Sequence, residues 1–166
     1  MKTESKLWFK KLRGDIISMV ESYEESSFVE KEWHHSHEGG GLMSTIKGNL
    51  IEKGGVNIST VSGVFSEKMR GRIPGAKDNP SYWATGISVV LHPFNPNIPS
   101  MHFNTRFLET TKNWFGGGID LTPCLKFNKE KKTFHESLEK LCNKHDNTYY
   151  SKYKKWCDEY FFIKHR

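Results

Sequence analysis

Two stretches of strict two-residue alternation, Thr85–His92 and Met101–Glu109, flank a connector holding three prolines in seven residues, Pro93, Pro96 and Pro99. Proline fixes φ and lacks an N–H, so that connector stays extended and cannot occupy the middle of a sheet. The centre of the chain therefore reads as two separate strands. Alternate side chains of a strand face opposite ways. Met101, Phe103, Thr105 and Phe107 share one mostly apolar face, and His102, Asn104 and Arg106 share the other, closed by Leu108. The preceding strand divides likewise, with Ile87, Val89 and Leu91 on one side and Ser88, Val90 and His92 on the other.

The rest of the chain builds around this pair. Residues 5–25 read as an amphipathic helix with Trp8, Leu12, Ile16, Met19, Val20 and Tyr23 at helical steps. Short β-like runs from Phe28 to Phe65 alternate with glycine turns at 39–41, 48–49, 54–55 and 63, and Arg70 to Pro80 is a loop by composition. Trp114 through Gly116-Gly117-Gly118 to Pro123 reads as a bend running into a third strand. Two helices finish the chain, one burying Phe134, Leu138, Leu141 and Cys142, the other Tyr149, Tyr153, Trp156, Tyr160 and Phe161. Strands in the middle and helices at both ends give a single α+β unit over residues 1–166, an antiparallel sheet with helices on both faces.

Charge narrows the function classes. The net charge is +6, yet residues 79–123 hold only Arg106 and Lys112 against Glu109 and Asp120, and the basic excess falls in residues 124–166. Basic residues interleaved with Tyr and Trp there leave a nucleic-acid-binding module as an alternative; the core-like spacing of those aromatics speaks against it. No apolar run approaches the roughly 18 residues a membrane span requires. Three cysteines, Cys124, Cys142 and Cys157, with no C-x-x-C pair, fit a reducing compartment and a cytoplasmic location. No G-x-G-x-x-G fingerprint points to a dinucleotide.

If the two alternating strands pair, Ser88, His92, His102, Asn104 and Arg106 converge on one polar surface, with Asp120 the nearest carboxylate besides Glu109. Two readings stay open. One is a solvated face with an internal Arg106–Asp120 ion pair. The other is a pocket for an anionic, nitrogen-bearing ligand, in which Arg takes a carboxylate through its planar fork, Asp accepts N–H groups and His exchanges a proton.

The order and spacing of several segments resemble the oxygen-dependent coproporphyrinogen III oxidase family. They are Glu38-Gly39-Gly40-Gly41, Glu52-Lys53-Gly54-Gly55-Val56-Asn57, Ala84-Thr85-Gly86 through His92-Pro93, His102-Phe103-Asn104 with Arg106, Trp114-Phe115-Gly116-Gly117-Gly118 with Asp120-Leu121-Thr122-Pro123, and Lys154 through Phe162 ending at His165-Arg166. The resemblance implies oxidative decarboxylation of two propionates of coproporphyrinogen III to vinyl groups in haem synthesis, with O2 as co-substrate and no organic cofactor. It places substrate contacts on Ser88, Asn104 and Arg106, a proton donor on His102 and a pyrrole-contacting carboxylate on Asp120, so that His102, Asp120 and Arg106 form the catalytic set. Some bacterial members are described as binding a divalent metal through histidines that fall on His92, His102, His135 and His165. The resemblance also implies a homodimer for the full-length family.

Two departures stand out. His34-His35-Ser36-His37 replaces an arginine that the family carries before its Glu-Gly-Gly-Gly loop. Family members are also considerably longer, so this chain reads as the N-terminal half, with a sheet left incomplete. That raises a third reading, a catalytically incomplete fragment that binds only tetrapyrrole or a partner chain.

Overall fold

A computed structural model describes residues 1–36, 38–125, 128–162 and Lys164. Six strands, β1 (Val29–His34), β2 (Glu38–Ile46), β3 (Ile51–Val64), β4 (Ser81–Pro93), β5 (Ser100–Glu109) and β6 (Asn113–Thr122), form one sheet. Each pairs antiparallel with the next, so their order in space repeats their order in sequence. Helix α1 (Lys2–Glu21) precedes the sheet, the short α2 (Glu67–Arg70) joins β3 to β4, and α3 (Asn128–Asn143) and α4 (Tyr149–Phe161) follow it.

The two alternating stretches pair as their patterns require, Val89 opposite Phe103 and Ser88 opposite Asn104. One face of the sheet is apolar: Val56, Ile87, Val89, Leu91 and Phe107 are buried there, and α1 lays Phe9 and Val20 against them. Each such side chain contributes about 1.5–3 kcal/mol when taken fully from water. Helix α4 packs by β6 on the opposite face, where a Cβ on Gly118 would stand 3.2 Å from Phe161. The α+β architecture with helices on both faces is thus present.

The helix faces differ from the sequence reading. The buried residues of α1 are Ser5, Phe9, Arg13 and Val20, and Leu12 and Ile16 pack against the core as the periodicity predicts, whereas Trp8 and Met19, and Tyr23 just past the helix, are exposed. The stripe is rotated by about one residue because Arg13 is anchored: its buried guanidinium donates through Nε to Ser44 Oγ at 3.1 Å and through Nη2 to Glu30 Oε1. A buried cation is tolerable only when so paired and hydrogen-bonded. On α4, Tyr149, Tyr153, Trp156 and Tyr160 are exposed rather than buried, and Tyr150, Lys154, Cys157 and Phe161 turn inward. Leu141 of α3 is also exposed.

The glycines serve a different end from the one expected. Of the glycine turns expected between Phe28 and Phe65, only Gly48-Asn49 joins two strands, and there the Glu24 carboxylate accepts the Asn49 and Leu50 N–H groups at 2.9 Å. Burial opposes its ionisation, but the N–H groups of Ile51, Asn49 and Leu50 outweigh this and hold the carboxyl below its ordinary range. Gly54 and Gly55 lie within β3, and Gly39, at φ 95°, sits in a left-handed conformation closed to most side chains. Gly116–Gly118 do not bend the chain: they run straight through β6, opposite Arg106, Thr105 and Asn104. What they supply is room, since a Cβ on Gly117 would come within 2.4 Å of the Asn104 carbonyl oxygen.

Candidate active site

The polar face of β4, β5 and β6 gathers the side chains that the alternation singles out. Asn104 is flanked by Ser88 on β4 and Gly118 on β6, while His102 is flanked by Val90 and Asp120, and Arg106 by Gly86 and Gly116. Because directly opposite residues of an antiparallel pair share a face, Ser88, His102, Asn104, Arg106 and Asp120 project from the same side. His102 and Arg106 are four positions apart, about 13 Å along the strand.

Two separate polar groupings result. At one end His102 Nδ1 lies 3.3 Å from Asp120 Oδ2, and its Nε2 lies 3.0 Å from Nε2 of His92. Thr122 Oγ1 donates to the same oxygen of Asp120. A carboxylate can only accept, so His102 donates from Nδ1 and its Nε2 is left to accept from, or hand a proton to, His92. At the other end the Arg106 guanidinium donates to Asn104 Oδ1 at 3.1 Å, is exposed, and has no carboxylate partner among the described residues. The Arg106–Asp120 ion pair envisaged from the sequence is not formed. Asp120 serves the histidines, and Arg106 keeps its charge uncompensated.

A cavity of about 330 Å³ opens over Arg106 and Asn104, floored by Gly116–Gly118 and walled by Tyr153, Trp156 and Tyr160 of α4. Trp114 lines it too, and its indole N–H is buried with no hydrogen-bond partner among the described residues. The aromatic wall was missed in the sequence because α4 carries two apolar stripes one residue apart, and Lys154 on the inward stripe disguises it. A second cavity, about 270 Å³, lies between α3, α4 and β6 and includes Asp120, His135, Cys142 and Cys157. His135 Nδ1 is buried there with no hydrogen-bond partner among the described residues, and burial, then Lys154 and Lys131, lowers its pKa.

Of the four histidines implied as metal ligands, His92 and His102 stand together, His135 is on α3, and His165 lies outside the described residues. Among the described residues no group of three or more His, Cys, Asp or Glu is arranged to hold a metal ion. His37 of the histidine-rich loop also lies outside them. No described helix is long and apolar enough to cross a membrane.

On one face an open antiparallel sheet presents a carboxylate–imidazole pair and a guanidinium without a carboxylate partner among the described residues, groups able to hold an anion and to exchange protons. Comparison with known sequences places it further. Residues 4–166 match the family model of coproporphyrinogen III oxidase, and the chain belongs to that family. It is 48% identical over 169 residues to the oxygen-dependent coproporphyrinogen-III oxidases of Rickettsia bellii (strain OSU 85-389) and Rickettsia akari (strain Hartford), covering 96% of this chain and 61% of each relative. The corresponding Rickettsia rickettsii (strain Sheila Smith) protein is 47% identical over the same share. The chain therefore spans about three fifths of the length of these relatives.

Proposed function

We propose that this chain carries the substrate-holding and proton-handling face of an oxygen-dependent coproporphyrinogen III oxidase acting in haem biosynthesis. The observation that carries the reading is the division of one sheet face into an unpaired Arg106 beside Asn104 and a His102–Asp120 pair about 13 Å away along the strand. Arg106 and Asn104 suit a propionate carboxylate, which a guanidinium takes bidentately. Asp120 suits a pyrrole N–H and stabilises positive charge that develops on the ring.

The overall chemistry balances without an added reductant. A propionic acid side chain loses a hydrogen from the carbon next to the pyrrole and its carboxyl group as CO2, and a vinyl group forms. O2 accepts the two electrons and two protons and leaves as hydrogen peroxide. The electron-rich porphyrinogen is the reductant, and the part left to the protein is to hold the carboxylate and move protons. His102, with Nδ1 fixed on Asp120, is placed to move them through Nε2. Ser88, opposite Asn104, completes the polar floor. Of the implied metal ligands, the described residues bring His92 and His102 together, and no step runs through a metal.

The test is aerobic incubation of the protein with coproporphyrinogen III, with chromatographic separation of the oxidised porphyrins. Vinyl-bearing products from the wild type, lost in Arg106→Ala and Asp120→Ala, are expected. Coproporphyrin binding that Arg106→Ala leaves unaltered would remove the basis of the assignment, whereas binding without turnover would favour the incomplete-fragment reading.

A further inference from the structure

We propose that Tyr160 contacts the substrate, closing over the middle of the ligand opposite Asn104. The inference rests on the tetrapyrrole reading above and adds to it a residue that neither the sequence motifs nor the family resemblance assigns. Three cavities follow one another along the polar face. The first, about 330 Å³, holds Arg106 above the glycine floor. The second, about 460 Å³, lies over Ser88, Thr85 and Arg106. The third, about 570 Å³, holds His102 and Asp120. Two residues line all three: Asn104 from the sheet and Tyr160 from α4.

This arrangement constrains any ligand that uses both ends of the face. Of these three cavities, Arg106 lines the first two and not the third, whereas Asp120 lines the third and neither of the others. A molecule that sets a carboxylate on Arg106 and a pyrrole N–H on Asp120 must therefore cross Asn104, in the space that Tyr160 also lines. Tyr160 is ready to receive it. The residue is 73% exposed on the last turn of α4, and the edge-to-face contact with Phe161, centroids 5.0 Å apart at 85°, braces its ring. Its exposed ring face is open to a ligand lying across Asn104. The surface is complementary as well: the guanidinium of Arg106 at one end selects an anion, and the aromatic ring at the centre offers an apolar, planar contact to a flat ring. A linked series of pyrroles bearing propionates has both properties. A single-pyrrole acid fits within one cavity and cannot use Arg106 and Asp120 together.

The experiment titrates the 166-residue chain with coproporphyrin III, following porphyrin fluorescence, and compares wild type, Tyr160→Phe, Tyr160→Ala and Arg106→Ala. Tyr160→Ala is expected to bind about three- to tenfold more weakly, and Tyr160→Phe, which keeps the ring, to bind like wild type. Because Tyr160 is largely exposed, circular dichroism should show all three proteins equally folded. Binding by Tyr160→Ala equal to or tighter than wild type, with Arg106→Ala weakened, overturns the role of Tyr160 and leaves the tetrapyrrole reading standing; it would mean that another polypeptide surface, not the ligand, covers the ring. Wild-type binding no better than that of Arg106→Ala overturns the tetrapyrrole reading and the role of Tyr160 with it.

Discussion

Nε2 of His92 lies 3.0 Å from Nε2 of His102, and the two rings cross at 89°. Only one proton can occupy that contact, and Asp120 decides where it comes from by claiming the Nδ1 proton of His102. Neutral His102 is therefore expected as the Nδ1–H tautomer. Long-range proton–nitrogen NMR spectra of the imidazoles check this. In Asp120→Ala the preference should disappear, since no acceptor then faces Nδ1; an unchanged tautomer would show that His92 alone orients the ring.

Arg106 is expected to dominate the affinity for carboxylated tetrapyrroles. A charge-assisted hydrogen bond is worth about 1.5–3 kcal/mol, so Arg106→Ala should weaken coproporphyrin binding about ten- to a hundredfold. Arg106→Lys should recover part of it, because an ammonium keeps the charge but not the planar fork. Fluorescence titration at two salt concentrations separates the contributions, the charge share shrinking as screening rises.

The glycines give a pair of opposite outcomes. Gly14 lies inside α1 with nothing within 4 Å of a built Cβ, so Gly14→Ala should stabilise the protein by about 1 kcal/mol. Gly117→Ala would drive a methyl group to 2.4 Å from the Asn104 carbonyl oxygen and should cost about 1–3 kcal/mol. Urea denaturation of the two variants beside wild type measures both.

His135 should make stability depend on pH. Its folded pKa lies below 6.5, through burial first and then Lys154 and Lys131, so the unfolded chain binds the proton more readily. Stability is therefore lost as pH falls from the unfolded value of about 6.5 toward the lower folded one. His135→Leu, which also removes the unpartnered buried Nδ1, should raise the melting temperature by about 2–4 °C near neutrality. The gain should be larger at pH 5.5 than at pH 7.5 on a thermal scan.

Much of this site can be read directly from residue order. Period-two alternation in 101–109 sends His102, Asn104 and Arg106 to one face whatever surrounds them, and the proline connector obliges the flanking strands to be distinct; both hold in the fold. What alternation cannot supply is partnership. The sequence contains one arginine and one aspartate in a nearly uncharged stretch, and pairing them is the economical guess, but the register puts Asp120 beside His102 and Gly116 beside Arg106. Glycine is ambiguous for a related reason: a residue without a side chain marks a turn when the chain must reverse and a vacancy when a neighbour must approach. At Gly116–Gly118 the neighbours are Trp114, the β5 backbone and Phe161, brought there by β6 pairing and the approach of α4. The rotation of α1 follows likewise from Arg13 reaching Ser44 and Glu30, a contact between residues far apart in the chain.

The match between strand order in space and strand order in sequence has a consequence for assembly. Every hairpin closes on the one made just before it, so loop-closure entropy stays small and the sheet can zip forward as the ribosome delivers it. Arg106 meets its glycine floor, and His102 its aspartate, only when the sixth strand docks. The guanidinium and the carboxylate–imidazole pair of this face thus become usable only after the scaffold beneath them has set.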